Sequence, residues 1–180
     1  MATQASRNLS LQDKHTVGNL VSSRKYIKDY PNGALYTEDV DNFHLVELSY
    51  NATLGEPEVK YLTDVTKKAD EVFLSCGVEI RFLEWEPIDA FFNGKGEKQR
   101  IVYLTQGLMF DTSAFEKDTT ITGEIQTGNF AHYDTTKKKF VIHDGSVPAY
   151  ATAGVKFVVR RTEADTMFTL GQPMVRLVVL

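Results

Sequence analysis

The amino-acid sequence predicts a mainly β protein: an antiparallel β-barrel, or a β-tulip or sandwich-like domain, with an extended N-terminal arm. After a turn signal at 30–33, "YPNG", short runs of β-type residues recur at a spacing of about 8 to 12 residues, separated by turn residues. The chain of 180 residues also contains 11 Phe and 8 Tyr, which pack well on a pleated surface. This length predicts one domain, or two small ones.

Residues 1–30 differ from the rest of the chain and are predicted to form the arm. They are polar, contain few aromatic residues and show no alternation of apolar and polar positions. Five basic and two acidic residues give them a charge of +3, which leaves −7 for the rest of a chain whose net charge is −4. We expect an arm that orders against the body or a partner. An unstructured tail and a short helix over 11–23 are the alternatives.

Residues 31–180 are predicted to form the β-rich body, in which two small β subdomains could meet at a turn near 93–100. The stretches 65–73 and 87–92 could each make one helical turn. The predicted β runs, in chain order, are ALYT, FHLVELSY, EVKYLT, EVFLSC, VEIRF, QRIVYLT, GLMFD, TITGEIQ, NFAHY, KFVIH, VKFVVRR, TMFTL and MVRLVVL.

The stretch NFAHYDTTKKKFVIHDG, residues 129–145, predicts a β-hairpin with a four-residue loop at 135–138. This loop length fixes a register in which the apolar residues share one face, predicted to point toward the core. Both histidines then lie on the other face as diagonal neighbours. The predicted cross-strand pairs are Phe130–His143, Ala131–Ile142, His132–Val141, Tyr133–Phe140 and Asp134–Lys139.

The two hairpin histidines raise the question of a metal site. Zinc or iron needs a third protein ligand, and the spacing of His15 and His44 nominates neither of them. The sequence contains no H-x-H, H-E-x-x-H or C-x-x-C motif. We therefore predict no metal and solvated histidines in an ordinary hairpin.

Other candidate chemistry is weak, and we predict no catalytic residue, no cofactor and no enzyme activity. Glu84 and Glu86 flank Trp85, as a carboxylate pair of a glycosidase could, but an acidic rim around a structural Trp is more common. The segment around Gly94 and Gly96 lacks the spacing of a phosphate-binding loop. The only cysteine, Cys76, lies in a run that reads as a buried strand and is predicted to be structural.

Composition also argues against some partners. No run approaches the roughly 20 apolar residues of a membrane span. The basic residues are not interleaved with aromatic residues, and no nucleic-acid recognition motif is present. We expect neither membrane nor nucleic acid as a partner.

The stretches GEIQTGNFAHYDTTKKKFVIHDG and TEADTMFTLGQPMVRLVVL resemble the small β-rich head proteins of tailed bacteriophages, in particular the capsid decoration or cement proteins. The segments NGALYTEDVDNFHLVELSY and IVYLTQGLMFDTSAF share the pattern, so the resemblance covers most of 33–180. It is a resemblance of pattern rather than of an exact motif, and the chain is longer than the smallest cement proteins. It implies a small β domain on the outer capsid lattice and gives no catalytic residues to carry over.

This resemblance implies a non-enzymatic virion structural protein, made in the host cytoplasm and located on the capsid exterior, which stabilises the shell. Residues 31–180 are then the capsid-binding domain. The expected partners are the major capsid protein and further copies of the chain, as in a trimer. The candidate capsid-binding residues of the arm are Arg7, Leu11, Lys14, Val17, Leu20, Val21, Arg24 and Lys25.

Three alternatives stay open. The first is another structural protein of the phage head, the base of a head fibre or the tail. The second is a cupin-like metal enzyme that uses His132 and His143. The third is a carbohydrate-binding β-sandwich with Trp85 and surface tyrosines as stacking platforms.

Overall fold

A computed structural model describes residues 15–77, 91–162 and 173–180 of the chain. Strands dominate these ranges, and a single short helix, α1 (Pro148–Thr152), begins at a proline. No helix among the described residues has the length and apolar character needed to cross a membrane. The strands are β1 (Gly18–Leu20), β2 (Ala34–Tyr36), β3 (Leu45–Asn51), β4 (Glu56–Tyr61), β5 (Val72–Ser75), β6 (Lys98–Gln99), β7 (Ile101–Tyr103), β8 (Met109–Thr112), β9 (Phe115–Lys117), β10 (Phe130–Asp134), β11 (Lys139–His143), β12 (Phe157–Arg161) and β13 (Val175–Val179).

Seven of the described strands form sheet A, in the order β1-β8-β13-β12-β10-β11-β9. The strand β13 lies in the middle of this sheet and pairs antiparallel with β12 and β8. This position explains the apolar run at 177–179, because a central strand is covered by its neighbours and by the core.

The other six strands that the structure describes form sheet B, in the order β6-β2-β4-β3-β5-β7. Its two outermost strands, β6 and β7, are separated in the chain by Arg100 alone. Sheet B must therefore curl, because its two edge strands meet at Arg100, although no described pairing joins them.

Two hydrophobic clusters follow from this arrangement. The larger cluster joins one face of sheet B, with Leu45, Leu74 and Val102, to the inner face of sheet A, with Phe110 and Leu177. The smaller cluster lies on the opposite face of sheet B, inside the curl. Alternate residues of one strand serve the two clusters, as the pleat requires. The members of the smaller cluster are Ala34, Tyr36, Val40, Val46, Val59, Tyr61, Phe73 and Ile101.

The prediction of a mainly β, sandwich-like fold is confirmed, and two of its details are wrong. The sheets are mixed, because β2 pairs with β4, and β9 with β11, in parallel. In both pairs the intervening strand, β3 or β10, pairs antiparallel with the second member, and the chain crosses over. Within the described ranges, neither sheet closes into a hydrogen-bonded barrel.

The helical turn predicted at 65–73 is also wrong. The Asp64 carboxylate accepts hydrogen bonds from the Thr66 backbone at 2.9 Å and from the Thr66 hydroxyl at 2.7 Å, which favours a turn over a helix start. The strand β5 begins at Val72. The second predicted turn, 87–92, lies mostly outside the described residues, and the candidate residues Glu84, Trp85 and Glu86 lie wholly outside them.

The predicted hairpin register is confirmed at all five pairs, from Phe130 with His143 to Asp134 with Lys139. The Asp134 carboxylate accepts the backbone N–H groups of Thr136 at 2.8 Å and Lys137 at 3.0 Å, which shapes the loop. Lys138 takes a left-handed conformation, and its Nζ lies 3.7 Å from the centre of the Tyr61 ring. This cation–π contact joins the hairpin loop of sheet A to sheet B.

Candidate functional site: the N-terminal strap

The described part of the predicted arm, residues 15–30, lies against the body, and we name it the strap. Val17 is buried, with 2% of its surface exposed, and Gly18–Leu20 forms the edge strand β1. The alternative of a helix over 11–23 is thus wrong for the described residues. Of the eight candidate capsid-binding residues, Arg7, Leu11 and Lys14 lie outside the described residues, Val17 is buried, Leu20 and Val21 are half-buried, and Arg24 and Lys25 are exposed.

The strap connects the edges of the two sheets. At its start, β1 pairs antiparallel with β8 of sheet A. At its end, the Tyr30 N–H donates to the Ile101 carbonyl at 3.0 Å, and the Tyr103 N–H donates to the Lys28 carbonyl at 2.8 Å, so that 28–30 runs along β7 of sheet B. A single segment therefore pairs with an edge of each sheet.

Hydrogen bonds of buried and half-buried polar groups anchor the first residues of the strap. The Asp41 carboxylate lies 2.6 Å from Nδ1 of His15 and accepts the Thr16 N–H at 3.1 Å. The Thr16 hydroxyl lies 2.7 Å from Nε2 of His44, and the other nitrogen of His44 lies 3.0 Å from the Tyr133 hydroxyl. His44 thus links the strap to the hairpin of sheet A.

Burial sets the charge states of this anchor. It lowers the pKa of His44 from 6.5 to about 4, against the opposing effect of the Asp41 charge, so the ring is neutral near pH 7. Burial alone would raise the pKa of Asp41, but the hydrogen bond and charge of His15 hold it below its ordinary value. The anchor at neutral pH consists of an ionised Asp41 beside a neutral His44.

Gly18 is the position at which the strap approaches the body most closely. A Cβ atom there would lie 2.3 Å from the Asp111 carbonyl oxygen and 2.4 Å from the Phe43 ring. Only glycine fits at this point without movement of β8 or of Phe43.

We expect Gly18→Ala to separate β1 from β8. The clash with backbone should lower the free energy of unfolding by about 1–3 kcal/mol, and the Ser113 N–H, which donates to the Val17 carbonyl at 2.9 Å, should exchange with solvent faster. Hydrogen exchange and chemical denaturation measure the two effects. Asn19→Ala, on the exposed neighbour, is the control, and unchanged exchange at Ser113 in Gly18→Ala would contradict the close approach.

The exposed turn of the strap carries two positively charged side chains, Arg24 and Lys25. Arg24 and Lys25 are exposed, and no carboxylate among the described residues lies within ion-pair distance of either side chain.

The outer edge of β1 lies close to this basic turn in the chain. Because Val17 and Val21 bond to β8, alternation directs the N–H and C=O groups of Gly18 and Leu20 away from it. Among the residues that the structure describes, the outer edge of β1 has no partner strand, and it lies next to a basic turn.

The hairpin histidines, the other candidate site, are not solvated as predicted. His132 is 5% exposed and His143 is fully buried, with ring centroids 5.1 Å apart. The Tyr150 ring of α1 lies 4.8 Å from His143 and 5.4 Å from Phe130, and thereby covers this face. Burial lowers the pKa of both histidines.

The hydrogen bonding of His143 argues against a metal ion between the two rings. The Gly145 N–H donates to Nδ1 of His143 at 2.9 Å, so the proton of the neutral ring lies on Nε2. Neither ring nitrogen of His143 then has a free lone pair with which to bind a metal ion. Within the described ranges, no three His, Cys, Asp or Glu side chains group as metal ligands do.

Sequence reasoning missed the anchor of the strap. His15 and His44 meet through Thr16 and Asp41, although they lie 29 positions apart, and no local motif marks the pairing. Tyr133 is 89 positions from His44.

Comparisons with known proteins give consistent results. The family described as "YonC prophage protein" matches residues 11–180. The chain is 40% identical to the SPbeta prophage-derived uncharacterized protein YonC of Bacillus subtilis (strain 168), over 184 aligned positions that cover 100% of this chain and 99% of the relative. No solved structure shows a significant match.

Proposed function

We propose that this chain, which belongs to the YonC prophage protein family, is a non-enzymatic structural protein of a phage particle. In this role it binds the outer surface of the icosahedral capsid as a decoration protein and stabilises the shell. The major capsid protein is its partner, and copies of the chain repeat with the symmetry of the lattice. The protein is made in the host cytoplasm and acts on the capsid exterior.

The observation that carries the proposal is the open edge of β1 beside the basic turn. An unpaired strand edge accepts a further strand from a partner through main-chain hydrogen bonds, and this mode of binding needs no deep pocket. Arg24 and Lys25 add a positive charge to an otherwise acidic chain, which favours an acidic partner surface.

Repetition on a lattice explains how so short an edge can suffice. The strand β1 has three residues, and a single contact of this size is weak. A shell that presents many equivalent sites, with copies that also touch one another, gains affinity from effective concentration. Stabilisation then arises because each bound copy joins neighbouring capsid subunits.

We expect the double variant Arg24→Glu/Lys25→Glu to bind capsids roughly tenfold more weakly than the unmodified chain at low salt. The measurement is co-sedimentation of purified protein with empty capsids built from the major capsid protein of the same phage genome. Point variants are preferable to deletion of residues 1–25, because the deletion would remove the buried Val17 and β1.

The matched control is Lys68→Glu/Lys95→Glu, which changes the net charge equally at two exposed lysines outside the strap. It should sediment like the unmodified chain. Raising the salt concentration should reduce the difference between the two double variants. Absence of the unmodified chain from the capsid pellet would overturn the proposal, and its recovery on tails or head fibres would favour the alternative role there.

A further inference from the structure

A groove opens at the mouth of the curled sheet B, on the face that carries the smaller hydrophobic cluster. It has a volume of about 460 Å³ and runs between the turn at Pro31 and Asn32 and the end of the β3–β4 hairpin at Gly55 and Pro57. Ligand pockets have volumes of about 300–1,000 Å³ and often occupy the mouths of curled or closed sheets.

Aromatic rings line the inner part of this groove. Tyr30 and Tyr103 are half-buried, with ring centroids 6.0 Å apart, and both pack on the buried Phe73 at 5.6 and 4.9 Å. Phe73 fixes the two rings, while the hydroxyl groups of Tyr30 and Tyr103 have no hydrogen-bond partner among the described residues. The groove therefore offers rigid ring surface together with free hydroxyl groups.

A third tyrosine stands at the rim. Tyr50 pairs with Pro57 across β3 and β4, so the two side chains share the face on which the groove opens. Tyr50 is 68% exposed, so most of its ring surface is open to a ligand. The neighbouring Leu54, on the same hairpin end, is 59% exposed.

The rim also carries hydrogen-bonding groups of both kinds. Asn32 offers an amide, Lys98 an ammonium group, and Glu56 a carboxylate, with Lys98 and Glu56 3.4 Å apart as an exposed ion pair. Donors and acceptors are thus both present, and the opposite charges balance. An anionic ligand would meet the Glu56 carboxylate, and a cationic one would meet Lys98.

We propose that this groove binds neutral sugar units of an oligosaccharide. Sugar rings have apolar C–H faces that stack on aromatic rings, and hydroxyl groups that need donors and acceptors together. Curled β-sheets with ring-lined faces are suited to oligosaccharides. A peptide fits less well, because β7, the strand edge beside Tyr103, already pairs with residues 28–30. The inference does not rest on capsid binding.

The test uses the full chain labelled with ¹⁵N and titrated with cellohexaose, maltohexaose, the hexamer of N-acetylglucosamine and a polyproline decamer. At least one sugar should shift the amide signals of Gly55, Glu56 and Lys98 in a saturable manner. Tyr50→Ala should weaken the apparent affinity for that sugar about three- to tenfold, whereas Tyr50→Phe, which keeps the ring, should not.

Tyr26→Ala is the matched control, since Tyr26 is an exposed tyrosine of the strap, packed near Gly107 and away from the groove. It should leave sugar binding unchanged. Binding of polyproline alone would identify the groove as a peptide site and overturn the proposal. Absence of any sugar-dependent shift, or equal effects of Tyr50→Ala and Tyr26→Ala, would also overturn it. Capsid sedimentation of Tyr50→Ala should match that of the unmodified chain, which separates this test from that of the proposed function.

Discussion

Phe140→Ala should lower the free energy of unfolding by about 3–5 kcal/mol. Phe140 is fully buried and contacts three aromatic rings, those of Phe110, Tyr133 and Phe157, at centroid distances of 5.1 to 5.6 Å. Removal of the ring loses its burial and leaves a cavity beside β8, β10 and β12, which the neighbouring rings on these three strands cannot fill without moving. Urea denaturation measures the loss.

The exposed Tyr50 provides the comparison for this prediction. Tyr50→Ala also removes an aromatic ring, but its side chain is mostly in solvent, so the change should stay within about 0.5 kcal/mol. A loss below about 1 kcal/mol for Phe140→Ala would mean that the hairpin does not present this face to the core. A slip of one residue in the register would produce that result.

Acid should destabilise the protein between about pH 6.5 and pH 4 through His44. Burial lowers the pKa of His44 from 6.5 to about 4 in the folded state. The unfolded chain then takes up the proton first as the pH falls, so the stability from His44 is present above pH 6.5 and is lost toward pH 4. This shift corresponds to about 3 kcal/mol for the one group.

His44→Gln should therefore flatten the dependence of unfolding free energy on pH in this window, even though the variant is less stable at pH 7. Tyr133→Phe removes a hydrogen-bond partner of His44 but keeps the titrating ring and its burial, so the pH dependence should persist. Urea denaturation at several pH values compares the slopes. An unchanged slope in His44→Gln would refute the assignment.

Other titratable groups also lower the stability of the protein as the pH falls. The pKa values of His132 and His143 are also lowered by burial, and they add to the loss below pH 6.5. Burial alone would raise the pKa of Glu47, but hydrogen bonds from Thr63 and the neighbouring lysines lower it. The carboxylates Glu47 and Asp41 thus contribute only as the pH falls below about 4.5, the ordinary range of such groups.

The hairpin was the part of the fold that sequence could predict in detail. Asp134 marks the loop, and Ala131, Tyr133, Phe140 and Ile142 form an apolar set in only one register, so local information was sufficient. The burial of His143 was not predictable in this way. It depends on Tyr150 of α1, and the sequence indicates no position for that helix relative to the hairpin.

The role of the strap depended on contacts that are distant in sequence. The side chain of Ser113, which accepts the N–H of Val17, lies 96 positions away in the chain. The strand β1 has only three residues, too few to show an alternation of apolar and polar positions. Composition indicated an extended segment with a positive charge, but not that it connects the edges of two sheets. The parallel pairs were missed for the same reason, since direction in a sheet follows from the order of strands and not from their residues.

The position of β13 in the middle of sheet A has a consequence for the order in which the sheets can form during synthesis. The described strands of sheet B come from residues 34–103, whereas sheet A needs residues 18–20 together with strands from 109 to 179. On the ribosome, these strands of sheet B are therefore made before β8, the second described strand of sheet A. β1 leaves the ribosome first and has no partner strand until β8 is made, and sheet A remains split until residues 175–179 enter between β8 and β12.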